Sequence, residues 1–279
     1  MKKKTLTLKE AFNEGKTRLA VAGIGEAKSD AFLLLSHVTN VDVASYYLDP
    51  DKEMTEEETA RYEEFLERRS QRIPLQHITK EQEFMGYSFF VSQDTLIPRQ
   101  DTEILVLEAL NKLQGGETVL DLCTGSGCII ISLSKLQSIE ATGSDISLAA
   151  LNIAEKNGNK LGVRVNFKKS NLFENITGRF DMIVSNPPYI KSQDIESLEK
   201  EVRLYDPRIA LDGGADGLSF YKKVIPKAKS YLKQEGFLLL EIGADEAQDV
   251  KELLDIAGYH NIYVKKDLAG LDRVVCGQV

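Results

Sequence analysis

Thr118-Val-Leu-Asp-Leu-Cys-Thr-Gly-Ser-Gly127 decides the fold of this chain. Its first five residues, Thr118 to Leu122, form a run of buried-strand character, and Cys128 to Leu136 resumes at once with apolar residues at helical spacing. A strand that turns through Gly125 and Gly127 into a helix leaves unpaired N–H groups beside a backbone that ligand atoms can approach closely. Such a turn suits a nucleoside cofactor, with Cys123, Thr124, Gly125, Ser126 and Gly127 as its contacts. Asp145 stands twenty residues past Gly125, after the short strand-like Glu140 to Gly143, where a carboxylate can accept both hydroxyls of a ribose. A nicotinamide-binding turn would carry a third glycine at position 130, which is Ile130. S-adenosylmethionine has no pyrophosphate to seat, and its methionine arm needs only a close backbone and a carboxylate such as Asp121 near its ammonium.

Outward from this turn, strands and helices alternate to the end of the chain. The pattern predicts helices over Leu148 to Leu161, Leu218 to Leu232 and Glu246 to Ala257, and strands over Val163 to Phe167, Met182 to Val184, Phe237 to Ile242, Asn261 to Lys265 and Arg273 to Cys276. Alternation of this kind implies an α/β fold: a mainly parallel sheet covered on both faces, with ligand over the C-terminal strand edges. Toward the N-terminus, Leu8, Ala11, Phe12, Ala31, Phe32, Leu34, Leu35, Tyr62, Phe65 and Leu66 fall at helical spacing and predict a small helical domain over residues 1–78. Gln82 to Pro98 alternates aromatic and polar residues around Met85-Gly86, which predicts a β-hairpin linker over 79–98 leading into a domain over 99–279.

The chemistry is carried by Asn186-Pro187-Pro188-Tyr189, which follows the apolar run Phe180 to Val184. The Asn186 side-chain oxygen can accept one N–H and the Pro187 carbonyl a second. Pro187 and Pro188 fix φ and remove competing donors, while Tyr189 offers a face for a flat amide or base. The order of glycine turn, ribose acid and then this tetrapeptide favours methyl transfer to a planar nitrogen.

These residues resemble the class I S-adenosylmethionine-dependent methyltransferases that act through an Asn/Asp-Pro-Pro-Tyr motif. More closely, the chain is similar to the peptide chain release factor glutamine methyltransferases, the PrmC/HemK group. The likeness rests on Glu83 to Val91, Leu96-Ile-Pro-Arg-Gln-Asp-Thr-Glu103, Asp121 to Gly127, Ser185 to Ile190, Glu201-Val-Arg-Leu-Tyr-Asp-Pro-Arg208 and Gly213-Gly-Ala-Asp-Gly217, in the family's order. Cys123 stands where the family usually has Gly, and Gln100 where it has Pro. The resemblance implies a seven-stranded Rossmann-like sheet with an antiparallel last strand, and S-adenosyl-L-methionine as cofactor. It further implies Asn171 and Leu172 beside the adenine, where the family commonly shows an acid and then an aromatic, and Asn186 at the junction of cofactor and substrate. The implied substrate is the glutamine of the Gly-Gly-Gln loop in class I release factors, docked with help from the helical domain and hairpin.

Composition agrees. A chain of 279 residues with 42% hydrophobic residues can bury real cores. With 43 acidic against 35 basic side chains, the net charge of -8 repels a phosphate backbone, which argues against the alternative of an N6-adenine nucleic-acid methyltransferase and for a protein substrate. Lys168-Lys169 and Lys265-Lys266 are too small to form a binding patch, and the eight acids of Asp51 to Arg69 read as a solvated helix face. Cys123, Cys128 and Cys276 form no C-x-x-C pair, and His37, His77 and His260 show no metal signature, so neither a disulfide framework nor a metal is expected. No apolar run reaches membrane-spanning length, and Met-Lys-Lys-Lys leads into polar helix rather than a signal core, which together predict a cytoplasmic protein.

Overall fold

The computed structural model describes residues 5–279; Met1 to Lys4, and the leader reading that depends on them, lie outside the described residues. The chain divides into two compact units at Lys80/Glu81.

The first unit is helical: α1 (Leu8–Val21), α2 (Ala27–Thr39), α3 (Val43–Leu48), α4 (Glu56–Ser70) and α5 (Leu75–Thr79). Thr7 with Glu10 and Thr55 with Glu58 form capping boxes that start α1 and α4 where the polar residues precede the periodic apolar ones. Leu8, Leu19, Leu34, Leu35, Tyr62, Phe65 and Leu66 close a core of their own. Within it Arg69 pairs with Asp30 at 2.6 Å, both nearly buried.

The second unit begins with the hairpin β1 (Glu81–Phe84) and β2 (Tyr87–Phe90), then α6 (Glu103–Leu110), β3 (Thr118–Leu122), α7 (Cys128–Leu136), β4 (Glu140–Asp145), α8 (Leu148–Leu161), β5 (Asn166–Lys169) and β6 (Phe180–Ser185). The short β7 (Ile190–Lys191), α9 (Lys200–Tyr205) and the short β8 (Asp212–Gly214) follow, then α10 (Ser219–Tyr231), β9 (Leu232–Glu241), α11 (Ala247–Ile256), β10 (His260–Lys266) and β11 (Asp272–Gln278). Seven strands form one sheet in the order β10-β11-β9-β6-β3-β4-β5. β11 alone runs opposite to the other six strands, as the resemblance implied.

Residue alternation along the strands builds two cores. Leu120, Leu122, Ile183, Leu238 and Leu240 pack under α10 and α11. Val119, Met182, Val184, Leu239 and Val274 pack on the opposite face with α6, α7 and the hairpin residues Phe84 and Phe89. The hairpin is thus fastened into this unit, and the buried Asn157 of α8 secures it further. The Asn157 Oδ1 accepts from the Phe90 N–H at 2.7 Å, while its Nδ2 donates to the carbonyls of Phe90 at 3.0 Å and Ser126 at 2.9 Å. One side chain therefore ties the hairpin to the glycine turn.

The strand expected over Val163 to Phe167 starts later, at Asn166. Gly162 ends α8 in the left-handed conformation, and the Val163 N–H bonds back to the Gly158 carbonyl at 3.0 Å, so Val163 closes the helix instead of joining the sheet. Among the described residues no helix is long and apolar enough to cross a membrane, and no cluster of His, Cys, Asp or Glu suits a metal ion.

Candidate active site

The C-terminal ends of β3, β4, β5 and β6 open into a cavity of about 510 Å³, within the second unit. It lies where strand order reverses, with β4 on one side of β3 and β6 on the other, the expected ligand crevice of a doubly wound sheet. Four of the five turn residues, Cys123 to Ser126, line it together with Asp145, Asn171, Leu172, Asn186 and Pro188.

The turn is organised by its own hydrogen bonds. The Thr124 hydroxyl donates to Asp121 Oδ2 at 2.6 Å, and the Thr124 N–H bonds the Ser144 carbonyl at 2.9 Å. Asp145 takes one backbone N–H on each oxygen, from Gly125 at 3.0 Å and Ser147 at 2.8 Å. Each oxygen keeps a further lone pair for a ribose hydroxyl. At Gly125, φ is +55°, and an added Cβ would meet nothing nearer than the Cys123 carbonyl at 4.0 Å, so only the absence of a side chain keeps this wall of the cavity low. The exposed Ile146, between Asp145 and Ser147, adds an apolar surface. A cradle with a paired-lone-pair carboxylate, a bare backbone and apolar walls at Ile146 and Leu172 fits an adenosine-bearing cofactor.

Several expected residues stand behind the wall rather than in it. Gly127 faces away: an added Cβ would lie 2.8 Å from Ile131 Cδ1 and 3.1 Å from Ala154 Cβ, so glycine there lets α7 pack on α8. Asp121 is fully buried, with Oδ1 unpartnered and Oδ2 held by Thr124, and it reaches the cavity only through that threonine. Pro187 and Tyr189 are not among the residues that line the cavity, although Pro187 sits between two that do, Asn186 and Pro188. The Tyr189 hydroxyl points inward and donates to Glu241 Oε1 at 3.4 Å, which draws the ring back as a brace for the turn. Cys123 adopts φ +58°, the left-handed conformation that the family's usual glycine takes without strain, at a cost of about 1–2 kcal/mol. Burial first, then Asp145 and Asp121, push its thiol up, so it stays protonated.

Three features were not singled out from sequence. Thr102, 84 residues before Asn186, accepts from the Asn186 Nδ2 at 3.0 Å. Glu241, at the end of β9, lies buried behind Tyr189. Gly213, in β8, packs so tightly that an added Cβ would lie 2.7 Å from Tyr189 Cα, Tyr189 C and the Gly217 carbonyl oxygen. The acid closing an apolar strand and the glycine cluster Gly213-Gly214 were the available signals. Over the cavity, Asp206 pairs with Arg99 at 2.6 Å and ties the segment carrying Pro207, Ile209 and Ala210 to the loop of Pro98 and Arg99.

The site concentrates carboxyl groups that resist ionisation. Burial pushes Asp121 up to about 7 against the pull of Thr124, and raises Glu241 to about 7 despite Thr102 and Arg273. Burial likewise raises Glu246 to about 7 and Asp206 to about 6. In each case the folded pKa exceeds the unfolded one, so between roughly pH 4 and pH 7 the native state holds protons that the unfolded chain has released. Stability from these groups is therefore full at low pH and declines as pH rises to about 7. Asp121→Asn mimics the neutral form: its melting temperature should match the parent at about pH 5 and exceed it by a few degrees at about pH 8. A difference independent of pH in scanning calorimetry would rule out this titration.

Comparison with known proteins agrees with this geometry. Residues 10–79 match the family model of the PrmC N-terminal domain, and residues 100–202 that of the methyltransferase small domain. The chain is 40% identical over 275 residues to a release factor glutamine methyltransferase of Geobacter sulfurreducens, covering 98% of this chain and 97% of that protein. It is also 40% identical over 279 residues to one of Koribacter versatilis, covering 98% and 99%. Among solved structures it resembles a methyltransferase of Pyrococcus furiosus (TM-score 0.54, 18% identity, 70% and 90% covered). The Thermus thermophilus 16S rRNA N2 G1207 methyltransferase with AdoMet and guanosine matches with TM-score 0.50 and 20% identity over 71% and 49% of the chains, a likeness of fold alone.

Proposed function

The chain belongs to the release factor glutamine methyltransferase family, and from that premise we propose that its cavity seats the Gly-Gly-Gln glutamine of a class I release factor against Asn186 and Pro187. It is an S-adenosylmethionine-dependent methyltransferase of release factor glutamine. The observation that supports the residue assignment is that Asn186 and Pro188, just past the end of β6, line the cavity beside Cys123 to Ser126 and Asp145, with the Asn186 Nδ2 engaged by the Thr102 hydroxyl.

A glutamine amide nitrogen is a feeble nucleophile because its lone pair is delocalised into the carbonyl, so the protein must position it. Asn186 Oδ1 and the Pro187 carbonyl accept its two N–H groups, and both oxygens also stabilise positive charge as it develops on nitrogen. Pro187 and Pro188 supply no competing N–H, and Tyr189, held by Glu241, braces the turn from behind. S-adenosylmethionine, when bound, supplies a methyl group on a sulfonium, an activated electrophile that needs no metal. Asp145 holds the ribose, the backbone at Gly125 lets the methionine arm approach, and Ile146, Asn171 and Leu172 border the base. The helical unit serves release factor docking in this reading, and the reaction takes place in the cytoplasm, where release factors act.

Nothing in charge or geometry favours the adenine alternative: the net charge is -8, and a nucleic-acid substrate would need a segregated basic surface. The test is transfer of labelled methyl to a purified release factor, to its Gln→Ala variant in the Gly-Gly-Gln loop, and to duplex DNA in parallel. Label on the intact factor alone supports the assignment. Label on DNA overturns it.

A further inference from the structure

We infer that Asn157 is a positioning residue for the cofactor: it locks the Ser126–Gly127 peptide of the glycine turn in the orientation that keeps a carbonyl oxygen out of the cavity. The inference deepens the cofactor placement proposed above and rests on it.

That peptide unit is held at both ends. Its N–H, on Gly127, donates to the Thr124 carbonyl at 2.8 Å and closes the turn. Its carbonyl, on Ser126, accepts from Asn157 Nδ2 at 2.9 Å and, among the described residues, takes no backbone N–H. Gly127 makes the second hold necessary. Glycine is as free at negative φ as at the +79° it adopts here, so the residue that lets α7 begin also leaves the peptide before it free to turn over. Ser126 lines the cavity and the fully buried Asn157 does not, so the bond draws the carbonyl back from the ligand space. Turned over, that oxygen would oppose the carboxylate of the cofactor's methionine arm, acceptor against acceptor.

The Asn157 amide has no such freedom. Its Oδ1 accepts the Phe90 N–H at 2.7 Å, and Nδ2 donates also to the Phe90 carbonyl at 3.0 Å. A flipped amide would set N–H against N–H and leave buried carbonyls without a donor. Lys160, further along α8, fastens the same hairpin through Glu81 Oε1 at 2.9 Å and Ser88 Oγ at 3.1 Å. The hairpin thus anchors an amide whose remaining proton orients the cofactor turn. Asn157 touches neither cofactor nor substrate in this account. It acts through Ser126.

Asn157→Asp keeps the acceptor for the Phe90 N–H, loses both donors and sets a lone pair against the Ser126 carbonyl. Asn157→Ala removes the amide without adding charge, which keeps the question answerable should Asn157→Asp fail to fold. Phe89→Leu is the control, because it loosens the packing of the hairpin in its core without touching Ser126. Asp145→Ala reports on the cofactor placement itself. Calorimetry gives the affinity of each variant for S-adenosylhomocysteine, which carries the same amino-acid carboxylate as the methyl donor. Melting temperature, kcat and the KM values for S-adenosylmethionine and release factor are measured alongside.

The expected result for either Asn157 variant is an S-adenosylhomocysteine affinity and an S-adenosylmethionine KM weakened by about tenfold or more, with kcat at saturating cofactor and the release factor KM within about threefold of the parent. Phe89→Leu should lower the melting temperature while its cofactor affinity stays within about twofold of the parent. Parental cofactor affinity in a folded Asn157 variant overturns the inference. So does an equal loss of affinity in Phe89→Leu, because instability of the hairpin alone would then account for it. Parental cofactor affinity in Asp145→Ala would instead overturn the cofactor placement, and the inference with it.

Discussion

Replacing Asn186 by alanine should lower kcat for release factor methylation by at least about a hundredfold while the affinity for S-adenosylmethionine stays within a fewfold of the parent. The loss is large because, in the proposed arrangement, Asn186 Oδ1 both aims the amide and answers the charge that grows on its nitrogen, and its removal leaves one substrate N–H without its acceptor. Cofactor affinity survives because the ribose acid, the bare backbone at Gly125 and the walls at Ile146 and Leu172 belong to other strands. Single-turnover methylation with parallel calorimetry separates the two. A variant that turns over within about threefold of the parent would remove Asn186 from the reaction.

Gly213→Ala should reach nearly the same loss without altering any group that contacts substrate. Its Cβ would lie 2.7 Å from three backbone atoms, Tyr189 Cα, Tyr189 C and the Gly217 carbonyl oxygen, so no side-chain rotation relieves it. The backbone of Asn186-Pro187-Pro188-Tyr189 must move, and a misplacement of about an ångström costs on the order of a hundredfold in rate. The β7–β8 pairing, in which the Ile190 N–H bonds the Leu211 carbonyl and the Ser192 N–H the Gly214 carbonyl, both at 2.9 Å, carries the strain directly to the motif. Steady-state kinetics should show kcat reduced more than KM, with cofactor affinity little changed. Parental kcat in a folded Gly213→Ala protein would show that the turn tolerates displacement.

How much of this was legible in the sequence depended on how local each signal is. Thr118 to Leu136 spells strand, turn and helix in consecutive residues, and β3 and α7 appear there with the expected bounds. Asp145 was readable because a strand end fixes it next to the turn, twenty residues after Gly125, and its carboxylate does accept the Gly125 N–H. The start of β5 was placed too early because Val163 looks like strand sequence, yet its N–H is spent on the helix carbonyl of Gly158. Gly127 looked like a ligand contact, although the atoms that exclude a side chain there, Ile131 Cδ1 and Ala154 Cβ, belong to helix packing. The partner of the Tyr189 hydroxyl, Glu241, stands 52 residues later and no local pattern announces it. Thr102 and Glu241 were beyond reach for the same reason: an ordinary threonine and an ordinary acid gain meaning only when the sheet brings β9, β6 and the Gln100–Thr102 turn together.

The central claim is that this cavity delivers one methyl group to a glutamine side-chain nitrogen. The most direct measurement is fragment-ion mass spectrometry of a release factor incubated with the protein and S-adenosylmethionine. A single added methyl on the side-chain nitrogen of the Gly-Gly-Gln glutamine is the result predicted here. A methyl group on any other residue, or an unmodified loop in the presence of active, cofactor-binding protein, would contradict it.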